Sequence, residues 1–466
     1  MSRKPLGKDR YGVQKVMHIG DYFSDSLGQF SLNIISGLVG QLTYFYTDKV
    51  GLAAGAVATM LLICKIFDAF TDVIMGNIVD HTAPGKEKYR PWILRMAIPA
   101  ALLIVALFTV PSGWSETGQL AYLFVTNFLL SAVVYTAICI PYASILVVRT
   151  NSQEERGTMG IWRAAAGYVS GMIIAIAVIP ATNALGGTQS AWIKVGAVFG
   201  LFIALALLLC FLRAKESAVD AKVVTSETEQ DDEEPVPFKE ALKLLFQNKY
   251  WVMILLMNFC AQVSYGINGA AGTYYCKWIY GNDNLVSIQG AIGMIPTILG
   301  FALVGPMTKK LGVTKTLRVS FMIGVIGTAL RLINPAHFVY NTTLSCFATF
   351  ANIPMMCLLG VMSAMAIDYN EYKYGKRMVA TAQSACSFGN KVGSGIGASI
   401  IGWCLGLAAY DGMAKSVSPA VIQAIYTFSI YIPLALFIFM FILAMRYDLE
   451  AKLPEYQAEI AKRKQA

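Results

Sequence analysis

Charge is scarce in this chain and histidine scarcer still. Of 466 residues only 14% are Asp, Glu, Lys or Arg, and three are histidine: His18, His81 and His337. Soluble domains carry about 25% charged residues. A chain this poor in charge, 56% hydrophobic and with a mean hydropathy of +0.56, is built for a bilayer. The histidines are too scattered for a metal cluster. The nine cysteines (64, 139, 210, 260, 276, 346, 357, 386 and 404) all fall in apolar stretches, and none has C-x-x-C spacing. That argues against a zinc site and against a disulfide framework. A G-x-S-x-G elbow and a paired acid in an aqueous loop are also missing, so an enzyme is not expected. With no extra soluble domain, neither is a sensor. The opening "MSRKPLGKDRYGVQK" is polar and basic and has no apolar core before a small-residue site, so the first span is expected to be retained rather than cleaved.

What the chain does have is apolar runs of about 20 residues, the length that crosses a hydrocarbon core. About twelve recur. The first half has Ser26–Tyr46, Ala54–Ile78, Pro91–Val110, Gln119–Val147, Thr158–Ile179 and Ala191–Leu212. The second has Tyr250–Cys276, Leu285–Gly305, Leu317–Ile333, Thr342–Ile367, Ala380–Leu407 and Ala420–Met445. The net charge of +9 comes from alternate loops, such as "GKEKYRPW", "TKKLGVTKTLR" and "YKYGKR", while "PSGWSETG" and "YGNDN" between them are nearly bare. This is the positive-inside pattern, not a nucleic-acid patch. It places both termini in the cytoplasm and requires an even number of spans. The long hydrophilic stretch between Arg213 and Lys249 includes "TSETEQDDEEPVP", acidic and poor in aromatics, and reads as a flexible linker. The expected layout is a six-helix bundle over residues 1–213, a cytoplasmic linker at 214–249, a second six-helix bundle at 250–446 and a cytoplasmic tail at 447–466. The fold class is all-α membrane protein with twelve transmembrane helices in two pseudo-symmetric bundles.

The stretch "KIFDAFTDVIMG" beginning at Lys65 breaks the apolar pattern. Each charge at a bilayer centre costs about 2.5–3.5 kcal/mol on the mildest scale. Lys65, Asp68 and Asp72 are spaced i, i+3, i+7, which puts all three on one helix face, with Thr71 one step away. Two carboxylates one turn apart repel when both are ionised, so one holds a proton or the pair recruits a cation. A proton, Na⁺ or Li⁺ between them offsets the burial, and Lys65 partly neutralises the empty site. The competing reading is an internal salt bridge that only fastens helices. Buried ion pairs stabilise poorly compared with apolar replacements, which favours the cation site.

Other charges within spans are few. Asp21 and Asp25 lie one turn apart in "GDYFSDSLGQF", Arg163 sits in "GIWRAAAGYVSG" and Lys391 in "SFGNKVGSGIGASIIGW". Intramembrane ionisable groups usually face the bundle interior or a wet cavity, and carboxylates with an Arg fork make directional bonds to hydroxyls.

The two halves share a weak loop likeness, Gly76-x-x-x-Asp80 against Gly305-x-x-x-Lys309-Lys310-x-Gly312, which looks like degraded copies of the major facilitator loop motif. The run "YFYTDKVGL…KIFDAFTDVIMGNIVD…KYRPWIL", continued by "YTAICIPYASIL", "ERGTMGIWR", "AIDYNEYKYGKR" and "SFGNKVGSG", resembles the glycoside–pentoside–hexuronide:cation symporters, the family of the melibiose permease. The resemblance spans most of the chain. It implies a major facilitator fold and secondary active symport of a sugar with Na⁺ or H⁺ across the cell membrane. The coupling ion (Na⁺, Li⁺ or H⁺) is co-transported, no cofactor is implied, and a monomer is expected. By the same resemblance Asp68 and Asp72 form the cation site, which is a metal site if the ion is Na⁺, with Thr71 and Thr136 as further ligands. Asp21 or Asp25, Tyr135, Arg163 and Lys391 line or gate the sugar cavity, and Cys139 stands at a sugar-facing position. Lys65 and the Asp368/Tyr369/Glu371/Lys373/Arg377 stretch are read as gating groups, the latter an ionic latch for the inner face.

The departures from the family pattern matter too. Cys139 replaces a second sugar-binding aspartate, Ala143 a stacking tryptophan, and Met356 another aromatic. A galactoside held by paired carboxylates and a ring is therefore not expected. Keeping Arg163 and Lys391 after losing a carboxylate makes the pocket more positive, which suggests a hexuronide or other acidic glycoside. The apolar replacements also leave open a carrier of a lysolipid or another amphipathic molecule.

Overall fold

The computed structural model describes residues 6–8, 13–80, 87–150, 152–214, 238–375 and 379–465. These residues are almost wholly helical. In chain order the helices of two turns or more are α1 (Ile19–Gly40), α2 (Ala54–Asp80), α3 (Arg90–Phe108), α4 (Glu116–Phe128), α5 (Thr136–Val148), α6 (Gln153–Ala184) and α7 (Gln189–Arg213). There follow α8 (Phe238–Gln247), α9 (Lys249–Trp278), α10 (Leu285–Leu311), α11 (Val313–Leu330), α12 (Phe338–Tyr374), α13 (Val379–Leu407), α14 (Pro419–Tyr426), α15 (Ile432–Arg446) and α16 (Leu449–Gln465). Three π-helical turns interrupt the pattern: Tyr46–Val50, Leu129–Tyr135 between α4 and α5, and Thr427–Tyr431 between α14 and α15.

Every expected span corresponds to a helix or to two helices joined by a π turn, except Ser26–Tyr46, which runs over α1, a short helix at Leu42–Phe45 and the start of the π turn at Tyr46. Among the described residues ten helices or joined pairs are long and apolar enough to cross a membrane. The other two expected spans are α1 and α13. Both are long enough, but Asp21, Asp25, Gln29 and Asn33 in α1, and Asn390 and Lys391 in α13, lower their apolarity.

The chain divides into two compact units, Met1–Asp232 with Asp411–Met413, and Glu233–Tyr410 with Ala414–Ala466. In the first unit α1 packs along α6 and α7, and α3 along α7. A Cβ added to Gly200 of α7 would stand 3.0 Å from the Ala101 carbonyl of α3, so the backbones nearly touch there. Small residues at such crossings are how helices gain contact where lipid supplies no hydrophobic drive. Trp192, Phe45 and Phe108 close one end of this unit, with ring centroids 5.0–5.5 Å apart.

The second unit is tightest where α9 crosses α13. A Cβ on Gly266 would lie 2.2 Å from the Ser394 carbonyl, and one on Gly397 2.1 Å from the Val263 carbonyl. Neither oxygen can move without its helix. Gly266→Ala and Gly397→Ala are each expected to destabilise the protein by about 1–3 kcal/mol, the range for overpacking. Thermal unfolding in detergent reads this, and an unchanged midpoint would mean the helices part freely.

Two expectations about the ends of this unit change. Residues 238–247, inside the expected linker, form α8, whose apolar positions 238, 242 and 245 repeat at helical spacing and whose Leu245 is fully buried. The expected tail is the helix α16. Leu449 is fully buried, and Leu453 and Tyr456 pack on the unit's core. Glu450 accepts from the Val313 and Thr314 amides, both at 2.7 Å, and so caps α11 where orphan donors favour an anion. Asp448, between α15 and α16, accepts from Lys452 at 2.6 Å and from the Tyr250 hydroxyl at 2.8 Å. Those bonds hold its carboxyl below the ordinary carboxylate value, Lys452 contributing most.

Candidate functional site

Two polar constellations occupy the apolar interior of the first unit. The first joins α2 to the start of α5. Asp68 is buried and Asp72 half-buried. Thr136 Oγ1 lies 3.2 Å from Asp68 Oδ1 and 3.0 Å from Asp72 Oδ1. Lys65 Nζ stands 3.7 Å from Asp68 Oδ2. Thr136 follows directly on the π turn Leu129–Tyr135, and its Oγ1 is also 3.5 Å from the Ser131 carbonyl. π turns recur at functional sites because they shift helical register locally. Without this one, the same side chain would face another direction.

A hydroxyl has one proton to give. Thr136 can donate to one of the two facing carboxylate oxygens at a time, and toward the other it presents its own oxygen. That geometry suits a proton shared on the carboxylates, or a small cation held by three oxygens with Lys65 alongside. Among the described residues no group of three or more His, Cys, Asp or Glu is placed to hold a metal ion. Thr71, expected as a further ligand, donates its hydroxyl to the Asp68 backbone carbonyl at 3.1 Å.

The second constellation joins α1, α5 and α6. Arg163 grips Asp25 with both arms of one edge, Nε to Oδ2 at 2.6 Å and Nη2 to Oδ1 at 2.9 Å. The guanidinium carbon sits 3.8 Å from the centroid of the Tyr142 ring, and the Tyr142 hydroxyl donates to the Asp25 carbonyl at 2.9 Å. Gly28 makes room for that ring, since a Cβ there would meet it at 2.4 Å. One and two turns further along the same face of α1 stand Gln29 and Asn33, joined at 3.0 Å. Asn33 lies so close to Gly167 of α6 that a Cβ on the glycine would come within 2.7 Å of its amide nitrogen.

Asp21 belongs to neither group. It is buried at the start of α1, accepts from the His18 amide at 3.0 Å and faces Arg149 at 3.9 Å. Beside it Glu155, 1% exposed, accepts from the Val16 amide at 2.9 Å, the Met17 amide at 2.8 Å and the Thr150 hydroxyl. This cluster fastens the segment before α1 to the start of α6. Of the two aspartates left open by the sequence, Asp25 is the one paired with Arg163.

A profile described as MFS/sugar transport protein matches residues 26–451, nearly the whole helical region. The chain belongs to that family. Within it, the relatives place the chain among the glycoside–pentoside–hexuronide:cation symporters, transporters rather than enzymes. It is 27% identical to the inner membrane symporter YicJ of Escherichia coli (strain K12) over 93% of this chain and 92% of that protein. It is 29% identical to the isoprimeverose transporter of Lactiplantibacillus pentosus over 83% of this chain and 80% of that one. In fold it matches the crystal structure of a bacterial homolog of the human lysosomal transporter Spinster, with a TM-score of 0.64 at 14% identity, covering 94% and 98% of the two chains. Cation-coupled sugar transport is the family's activity, and the chain is a multi-pass membrane protein whose substrate is a small molecule.

The remaining expected site residues of this family member lie elsewhere. Tyr135 ends the π turn before Thr136, and Cys139 is half-buried one turn further on. Lys391 is half-buried on α13, in the second unit, next to Asn390, which accepts from Asn258 of α9. Of the gating groups, Asp368 accepts from Gln457 of α16 at 2.8 Å. Glu371 is buried, and exposed Lys373 lies over the Tyr374 ring at 5.0 Å. Tyr372 stacks on Tyr456 with centroids 4.4 Å apart. Arg377 lies outside the described residues.

The sequence reading passed over Gln29, Asn33, Tyr142 and Glu155. Gln29 and Asn33 extend the i, i+4 rhythm begun by Asp21 and Asp25, so their face was legible. Glu155 stands three residues after Ser152, the spacing of a capping box. Ser152 does cap α6, accepting from the Glu155 amide at 3.4 Å, but the Glu155 carboxylate turns to the segment before α1.

Proposed function

We propose that this protein is a symporter of the cell membrane that imports a glycoside, pentoside or hexuronide together with Na⁺ or H⁺ held at Asp68, Asp72 and Thr136. The observation that carries the reading is Thr136 Oγ1 within 3.2 Å of both carboxylates, from a different helix. Carboxylates on one helix and a hydroxyl on another respond to an ion by drawing the helices together, which is how occupancy reaches the rest of a bundle. Lys65 stands in for the ion when the site is empty. Asp25 and Arg163 contact the sugar. Both termini lie in the cytoplasm, and the protein works as a monomer.

Coupling through such a site is reciprocal: the ion raises sugar affinity by the factor by which sugar raises ion affinity. The test is uptake into proteoliposomes over a panel of neutral glycosides, pentosides, uronides and lysolipids, with Na⁺ and proton gradients imposed separately. One gradient is expected to drive a sugar to accumulate, and the sugar's apparent affinity to rise with that ion. Accumulation of no sugar under either gradient, or of lysolipid alone, overturns the reading.

A further inference from the structure

We infer that Asp25 and Tyr142 lock the Arg163 guanidinium so that its side-on fork is already occupied, and that the site therefore selects an uncharged, hydroxyl-rich glycoside over a hexuronide. The inference rests on the sugar-transport reading and names the substrate class of that site.

A guanidinium recognises a carboxylate best through two parallel N–H bonds from one edge. In Arg163 the edge made by Nε and Nη2 is spent on Asp25, at 2.6 and 2.9 Å. One face is covered by Tyr142 at 3.8 Å. The ring is itself fixed at two points, through its hydroxyl on the Asp25 carbonyl at 2.9 Å and through the room left by Gly28. Nη1 has no hydrogen-bond partner among the described residues, and the side chain keeps 11% of its surface exposed. The group thus keeps only its end-on edge, Nη1 with the second Nη2 hydrogen, on a cation whose charge Asp25 already balances.

A sugar hydroxyl or ring oxygen needs no more than that. A substrate carboxylate drawn to Nη1 would put a second negative charge beside Asp25, around a single buried cation, and like charges sharing a site repel strongly. The polar groups next along α1, Gln29 and Asn33, are neutral amides bonded to each other at 3.0 Å, which suits hydroxyls equally. The charge count behind the hexuronide expectation therefore changes: Arg163 is balanced by a residue on its own unit.

The test is competition binding to the purified full chain with p-nitrophenyl glycosides: neutral xylosides, glucosides and galactosides against glucuronides and galacturonides. The best neutral ligand is expected to bind at least about tenfold tighter than the best uronide, the scale of one charge-assisted hydrogen bond. Asp25→Asn removes the balancing charge and one of the two acceptors, and is expected to move that ratio about tenfold toward the uronides. Tyr142→Leu, which keeps both charges, is expected to weaken neutral-ligand binding about tenfold, with Tyr142→Phe restoring it through the ring. These variants keep the test open if Asp25→Asn does not fold. A wild type that prefers uronides overturns the inference, as does a ratio unmoved by Asp25→Asn or a Tyr142→Leu protein that binds normally. Binding of uronides with ion-driven uptake intact would remove this inference alone, whereas failure of every glycoside to bind would remove the sugar reading beneath it.

Discussion

Replacing Asp68 and Asp72 together by asparagine is expected to abolish concentrative uptake while downhill sugar exchange continues. The two carboxylates supply the negative charge that Thr136 Oγ1 faces at 3.2 and 3.0 Å. Opposite unit charges about 4 Å apart attract by about 4 kcal/mol at an effective dielectric near 20. Loss of either carboxylate therefore weakens binding of Na⁺ by up to about a thousandfold, and the pair of asparagines leaves no group to carry a proton. Lys65 then has no acid to neutralise and holds an uncompensated charge. Each single variant is expected to lower the accumulation ratio close to unity. Thr136→Ala removes only a neutral ligand and is expected to weaken ion binding by about tenfold, the worth of a hydrogen bond to a charged group. Proteoliposome uptake under an imposed gradient measures all four proteins, and sugar counterflow shows that each is folded. Undiminished accumulation by the double variant would place coupling somewhere else in the chain.

Glu155→Ala is expected to be the most destabilising of the single substitutions, by roughly 3–5 kcal/mol. Its carboxylate is buried and has three donors aimed at it: the Val16 amide, the Met17 amide and the Thr150 hydroxyl. Truncation orphans all three, and each buried donor without an acceptor costs about 1–3 kcal/mol. Glutamine keeps the shape but turns an N–H toward donors, so Glu155→Gln recovers only part of the loss. Thr150→Val removes one donor and leaves the carboxylate with two, at a cost of about 1 kcal/mol. The midpoint of thermal unfolding in detergent orders these variants. Limited proteolysis adds a local readout, because the segment at Val16 and Met17 is expected to be cut faster once Glu155 no longer holds it. An alanine variant that melts with the wild type would show that water replaces the carboxylate at no penalty.

The cluster of charge on α2 was legible in the sequence. Lys65, Asp68 and Asp72 announce themselves because ionisable groups are expensive in lipid and because helical spacing alone puts them on one face. Thr136 was nameable only through family resemblance, since its approach to the aspartates depends on the π turn at Leu129–Tyr135, and no residue in "LLSAVVY" signals a local change of register. That the tail at 447–466 folds as the helix α16 was hidden by its richness in charge. Its inward positions Leu449, Leu453 and Tyr456 repeat at helical spacing, but only the second unit's core tells that there is something for them to pack on.

Composition, hydropathy and the alternation of basic and bare loops were enough to determine a helical membrane protein with spans near their observed places, because the bilayer imposes the same length and the same backbone satisfaction on every crossing segment. Which charges meet was beyond their reach. Asp25 and Arg163 are 138 residues apart in the chain, and Tyr142 and Gly28 gave no sign of serving them. Only the packing of α1, α5 and α6 closes that distance, and with it decides whether an arginine in the membrane reaches out to a carboxylate or is already holding one.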